Sequence, residues 1–474
     1  MALNPQSSDR SSRPLQEGAA SSQEIRSEVL KLAMPSVGEQ ILAVLVGFVN
    51  TMLVGHLGAA ALTAVGIAST ITMLATTFFT AVATGTTALV AQAIGARNET
   101  YAARVLEQAV LIGLGLGFGS MALLMPLSRT SMVLMGAEPA AVEMGGIYLV
   151  CVSVTLPLMA LLFIGNASLR GAGDTRTPMA VMGGLNLVNL VLSFVLIRGL
   201  GPIPALGVMG AGIAAATANG AGGLAVIIIL RRGRANLLLK RVLSSPDREV
   251  LKQILNIGLP AGGETLLMRF AMTAYTRSIA SLGTAAYAAH VIVQRIESMN
   301  TMPSFGFSTA ATTLCGQNIG AGDPDRARRS VFSAMRIAFT FSLAWTIISI
   351  LFPAALMGIF TSDKEVISLG ITPMRILALA QPLMAITFSL SGGLRGAGDT
   401  RSVMWITGIG SWLVRVPIAV LAATRLNLGL AGVQSAMIFD WGVRLALLSW
   451  RFRPVAWARR MASKAKPAQP AVTG

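Results

Sequence analysis

Twelve stretches of predominantly apolar residues recur along this chain, separated by short charged or turn-rich breaks. Each is long enough to cross a bilayer, which takes about 20 residues of helix. Their spacing predicts helices over 31–54, 62–92, 101–125, 139–168, 175–198, 207–230, 256–280, 287–317, 328–350, 364–393, 400–424 and 429–450. The second, fourth, eighth and tenth are long enough to tilt or to extend past the bilayer. A water-soluble domain clothes itself in charge on roughly a quarter of its residues. Here 12% are charged and 54% hydrophobic, so lipid must cover much of the exterior. The expected fold class is an all-α membrane protein of twelve transmembrane helices.

The breaks alternate in charge. One set, together with the ends of the chain, holds 26 of the 37 Lys and Arg; the other holds only Arg129, Arg198, Lys364 and Arg425. By the positive-inside rule the first set is cytoplasmic, with both termini. This bias also accounts for much of the +17 formal charge, so no nucleic-acid partner is expected. Residues 1–28 and 456–474 read as tails, the first as a disordered cytoplasmic one, and 231–252 as a basic cytoplasmic linker. They leave an N-lobe at 29–230 and a C-lobe at 253–455. No cleavable signal sequence follows the polar N-terminal segment.

Several function classes fall away. Cys151 and Cys315 both sit in apolar runs, and no CxxC spacing exists. Two histidines, His56 and His290, cannot build a metal site unaided. There is no GxxxxGK[ST] loop for a nucleotide. The chain reads as neither an ATP-driven pump nor an enzyme, and it needs no cofactor.

The two halves repeat at an offset of 225 residues. Pro35-Ser-Val-Gly-Glu39 matches Pro260-Ala-Gly-Gly-Glu264, Gln92-Ala-Ile-Gly-Ala96 matches Gln317-Asn-Ile-Gly-Ala321, and Leu169-Arg-Gly-Ala-Gly-Asp-Thr-Arg176 recurs unchanged as Leu394 to Arg401. A six-helix unit returns the chain to the side where it began, so the halves share orientation and are related by an axis along the membrane normal. Two similar bundles flank a central cleft that can open to either side by rocking. That is the plan of an alternating-access transporter.

Within spans, charge is costly and marks candidate sites. Glu39 lies about 12 Å into the first predicted helix and Glu264 at the same place in the seventh. Eleven residues separate Glu39 from Asn50, so both lie on one helical face. A desolvated carboxylate there titrates nearer physiological pH, and its oxygens equally suit Na⁺. The alternative is that both acids only bond neighbouring helices. Glu39 shows no cation within the spans of its own half, whereas all seven in-span arginines, Arg415 and Arg444 among them, fall in the other half with Glu264, Glu297 and Asp440. Ion coupling is therefore expected at Glu39 and a structural pair at Glu264; Asp440 and Arg444 suit an i, i+4 pair. Tyr275, Arg295, Glu297, Gln294 and Met268 are candidate cavity residues, although such side chains also serve packing. In the repeated LRGAGDTR elbows, the glycines permit tight turns. Asp174 and Asp399 suit helix caps, and Arg170 and Arg395 read as inside anchors.

The doubled Pro…Glu helix, the VGHLG and ASLGTAAYAAH segments, CGQNIGAGD, both elbows and WLVRVP together resemble the multidrug and toxic compound extrusion family, over about residues 30–455. The resemblance implies two six-helix lobes around a central cavity. It also implies exchange of inward H⁺ or Na⁺ for small organic compounds, often cationic drugs, by a multi-pass protein of the inner (cytoplasmic) membrane. A monomer is expected. Two positions depart from the family pattern: Asn50 stands where many members carry an Asp, and Met268 where one branch carries a Glu. The arginines of the C-lobe keep a lipid-linked sugar flippase or organic-anion exporter of the same fold group open. The loop Gly95-Ala-Arg-Asn-Glu-Thr lacks the major-facilitator pattern.

Overall fold

The computed structural model describes residues 22–199 and 204–452. The N-terminal half holds α1 (Ser22–Gly55), α2 (Ala59–Gly95), α3 (Glu99–Leu124), a span in two segments α4a (Pro139–Ser153) and α4b (Leu156–Gly171), α5 (Arg176–Arg198) and α6 (Gly207–Arg231). The C-terminal half holds α7 (Arg248–Ala280), α8 (Thr284–Gly320), α9 (Pro324–Leu351), α10 (Lys364–Gly396), α11 (Thr400–Thr424) and α12 (Gly429–Arg451). Two short helices, Ser128–Leu134 and Pro353–Gly358, follow α3 and α9. The described residues form no β-strand.

Eight of these helices are individually long and apolar enough to cross a membrane, and α4a with α4b makes a ninth across a 56° bend. Pro157 causes that bend, since it offers no N–H to the carbonyl of Ser153 one turn back. The other three, α7, α8 and α12, are less apolar because they carry Glu264, Glu297, Asp440 and most of the in-span arginines.

α1 begins at Ser22, so residues 22–28 are helical rather than part of a disordered tail; residues 1–21 and 453–474 lie outside the described residues. The reason is packing across the lobes. Val29, Leu32 and Ala33 belong to a core otherwise built by α8–α12, and Glu28 pairs with Arg326 at 2.7 Å. The repeat answers in kind: Val250, Ile254 and Ile257, at the start of α7, belong to the core of the first half. Ile25, Val29 and Leu32 correspond to Val250, Ile254 and Ile257 at the 225-residue offset. Each lobe thus inserts the first turns of its leading helix into the other.

Glycines let the lobes touch backbone to backbone on this face. A Cβ at Gly85 would strike the carbonyl of Ile254, and one at Gly258 would crowd that of Ala81 at 2.7 Å. Further along α1 the contact is lost. Residues 41–45 are all exposed, five in a row and more than one full turn, although Leu42 still lies against Gly183 of α5 in its own lobe. The lobes meet on the elbow face, and this exposed turn of α1 lies beyond it. The linker expected over 231–252 is shorter, since α6 runs to Arg231 and α7 begins at Arg248. It is not free either: Leu237 and Leu239 are buried, and Gln108 holds Ser244, Ser245 and Asp247 against α3.

Candidate functional site

Glu39 sits one turn past Pro35 in α1, with 7% of its surface exposed. Its two oxygens accept from Nη1 of Arg170 at 3.0 and 3.2 Å. Glu264, equally buried in α7, accepts from Nη2 of Arg395 at 2.6 Å and from Thr407 Oγ1 at 3.2 Å. This corrects two expectations. Glu39 is not an unpaired carboxylate, and Glu264 takes its cation from the elbow rather than from the in-span arginines. Arg170 and Arg395 end α4b and α10 and, instead of reaching outward, run their long side chains back into the lobe. A carboxylate this deep must be neutralised or pay heavily in lost hydration. The signal was in the sequence: both the Glu and the Arg recur at the same offset.

Asp174 accepts from the backbone N–H and the hydroxyl of Thr177, at 2.9 and 2.6 Å, and from Arg234 at 3.1 Å. Burial alone would raise its pKa, but these three donors hold it below the usual carboxylate value. Asp399 departs from the cap expected of it. It accepts from Ser402 Oγ and from Arg451, with no bond to the backbone of the following turn.

The elbows also bind the opposite lobe. Gln92 donates Nε2 to the carbonyl of Gly396 at 2.9 Å, and Gln317 donates to that of Gly171 at 3.1 Å. Gly171 and Gly396 are repeat mates, as are the two glutamines, so the exchange is reciprocal. Thr313 adds a bond to the carbonyl of Arg170. Gly95 and Gly320 make this approach feasible, since a Cβ at either would overlap the backbone of Gln317 or Gln92.

Beyond this closure the lobes differ. In the N-lobe, Asn50 donates to Asn189 at 2.5 Å, and Asn186 is buried beside it in sequence with its amide nitrogen unpartnered. Neither Asn50 nor Asn189 can titrate. In the C-lobe, Arg415 and Arg444 both hold Asp440, Arg444 at 2.6 and 3.0 Å, and Arg444 also donates to Ser411. The i, i+4 pair expected of Asp440 and Arg444 is present. A π-helical stretch of α11, Ile409–Arg415, presents both Ser411 and Arg415 to Asp440 and Arg444 of α12. Gly410 lies against Asp440 so closely that any Cβ would overlap it. Tyr275 is fully buried, donating to Gln434, which in turn bonds His290. It therefore packs the lobe and does not line an open cavity. Arg295 is exposed, while Met268, Gln294 and Glu297 are half-buried. The side chain of Glu297, near Arg415, makes no hydrogen bond or ion pair within the described residues.

The MatE family model matches residues 35–195 and again 260–421. This chain belongs to the MatE family. The two matched segments begin 225 residues apart, at Pro35 and Pro260, so each MatE unit is one lobe of this transporter. A probable multidrug resistance protein NorM of Thermotoga maritima is 32% identical over 440 residues, covering 92% of this chain and 94% of the relative. An uncharacterized transporter, YisQ of Bacillus subtilis, is 26% identical and covers 91% and 95%. A structure described as the outward-facing conformation of a multidrug resistance MATE family transporter of the MOP superfamily superposes with a TM-score of 0.84. It is 25% identical and covers 93% of this chain and 97% of that one. A MOP superfamily transporter from Pyrococcus furiosus has the same TM-score at 24% identity.

Proposed function

We propose that this MatE protein is a secondary antiporter that exports small organic compounds in exchange for inward H⁺ or Na⁺. It works by alternating access in the cytoplasmic membrane with the elbows on the cytoplasmic side. The reciprocal Gln92 and Gln317 bonds support this reading: they join the lobes on the elbow face, and the exposed turn of α1 at residues 41–45 is read as the open side of the cleft. Because the lobes are near-equivalent, a rocking motion that breaks these bonds generates the opposite state from the same parts. On the charge bias, the conformation here is closed to the cytoplasm and open outward. The relatives named for multidrug resistance support drug-like substrates, and the protein acts as a monomer with the lipid bilayer around it. No cofactor takes part beyond the coupling ion.

Glu39 and Glu264 serve as paired struts in this scheme. The coupling carboxylate is then Glu297, since Glu39, Glu264 and Asp440 are already held by arginines. Proteoliposomes with separately imposed H⁺ and Na⁺ gradients test the reading. One gradient drives efflux of a cationic dye in the unaltered protein, and Glu297→Gln uncouples it while dye binding persists. Efflux under neither gradient would overturn it. The exposed in-span arginines of the C-lobe, Arg277 and Arg295 among them, favour a second reading, an organic-anion exporter, which the same vesicles test with an anionic dye.

A further inference from the structure

Between α5 and α6 lies a cavity of about 570 Å³ whose walls are almost wholly apolar. Gly184 and Val188 line it from α5, Ala221 and Ala225 from α6, and Arg176 and Arg234 stand at its elbow end. Small residues create the space: a Cβ at Gly184 would meet nothing within 4 Å. The cavity does not belong to the transport cleft. Gly184 and Val188 each lie two positions from Asn186, about 200° round the helix, so they occupy the face opposite the buried amide. α1 packs elsewhere on α5, meeting Gly183 and Met179. Gly184, Val188 and Ala221 are exposed, and in a bilayer that exposure is to lipid.

The dimensions fit one leaflet. From Arg176 to Val188 the helix rises about 18 Å, against roughly 15 Å of hydrocarbon in half a bilayer. The charge fits one sign of headgroup. Arg234 gives Nε to Asp174, and Arg176 makes no side-chain hydrogen bond or ion pair among the described residues. Two exposed guanidinium groups against one carboxylate leave a positive site at the depth of lipid phosphates, where basic residues flanking helices meet anionic lipid.

We propose that this groove binds one phospholipid with an anionic headgroup, drawn from the elbow-side leaflet. An acyl chain lies along Gly184, Val188 and Ala221, and the headgroup rests on Arg176 and Arg234. This inference stands apart from the transport reading, because the groove lies outside the cleft.

The test uses full-length protein in detergent, titrated with phosphatidylglycerol or phosphatidylcholine of identical chains, with retained lipid read by native mass spectrometry. The unaltered protein retains one phosphatidylglycerol in preference to phosphatidylcholine. Arg176→Gln and Arg234→Gln each weaken that retention about five-fold and reduce the preference, and Gly184→Leu lowers retention of both lipids. A phosphatidylglycerol bearing a photoreactive group in its acyl chain labels residues 176–188 or 221–229 of the unaltered protein, whatever the variants do. Equal retention of the two lipids, an undiminished preference in both arginine variants, or labelling confined to other helices would each overturn the proposal.

Discussion

Gln92 and Gln317, repeat mates 225 residues apart, each donate a hydrogen bond to the backbone of the opposite lobe's elbow, at Gly396 and Gly171. Neither bond survives a separation of the lobes on that face. Both therefore contribute only to the closed arrangement, which is the condition for a contact to shift an equilibrium between states.

Removing them is expected to favour the separated state. Two neutral hydrogen bonds are worth about 2 kcal/mol together, or roughly thirty-fold in population. Spin labels at Ala96 and Ala321, both exposed on the elbow face, report the distance between lobes in a background lacking Cys151 and Cys315. Gln92→Ala with Gln317→Ala should enlarge the long-distance population; an unchanged distribution would show that the glycine contacts alone hold the face shut.

The Glu39–Arg170 pair should behave as a strut. Glu39→Gln leaves a mostly buried guanidinium without its counter-charge, costing about 2–3 kcal/mol. That is below the loss for a sealed pair because 21% of the Arg170 side chain stays exposed. Thermal unfolding in detergent should show a lower midpoint for Glu39→Gln, partly restored by adding Arg170→Gln. A normal midpoint in the single variant counts against the strut.

Gly410→Ala should be among the most damaging small substitutions in the C-lobe, because its Cβ meets Asp440 and Arg444. Overpacking of this kind costs about 1–3 kcal/mol. Gly442→Ala on α12, where a Cβ meets nothing within 4 Å, is the matched control and should be neutral or stabilising. Fluorescence-detected size exclusion after heating separates the two.

Acid should loosen the first elbow. The pKa of Asp174 is lower in the folded protein than in the unfolded chain. Its stabilising contribution is thus full above the unfolded carboxylate value, about 3.9, and is lost as pH falls through the folded value. The stability gap between the unaltered protein and Asp174→Asn should narrow below about pH 4. A constant gap from pH 6 to pH 3 would remove Asp174 from this role.

Orientation can be read at Ser245, which is exposed, whereas Ser244 is half-buried and bonded to Gln108. A cysteine at Ser245, again without Cys151 and Cys315, should resist an impermeant maleimide in intact cells and react in inverted vesicles. Labelling of intact cells would reverse the assigned topology.

Much of this protein was written along the chain. Apolar run length marks most of the spans, nine by length and composition alone among the described residues, because bilayer thickness sets a minimum that no tertiary contact relaxes. The repeat supplies α7, α8 and α12, whose charges dilute that signal. The 225-residue repeat fixes two like lobes, because six crossings return a chain to its starting side. Asp440 with Arg444 was legible for a similar reason: four residues of helix bring them together without help from the rest of the fold. The partners of Glu39 and Glu264 were not, since each lies 131 residues from its arginine. The reach of Arg170 to Glu39 depends on where the fold sets the end of α4b relative to α1, and helix packing also decided that residues 22–28 are helical. Tyr275 looked like a cavity residue until Gln434, 159 residues away, took its hydroxyl. Local spacing and membrane thickness act on the sequence directly; which buried charge meets which, and which face of the cleft is shut, follow only from how twelve helices pack.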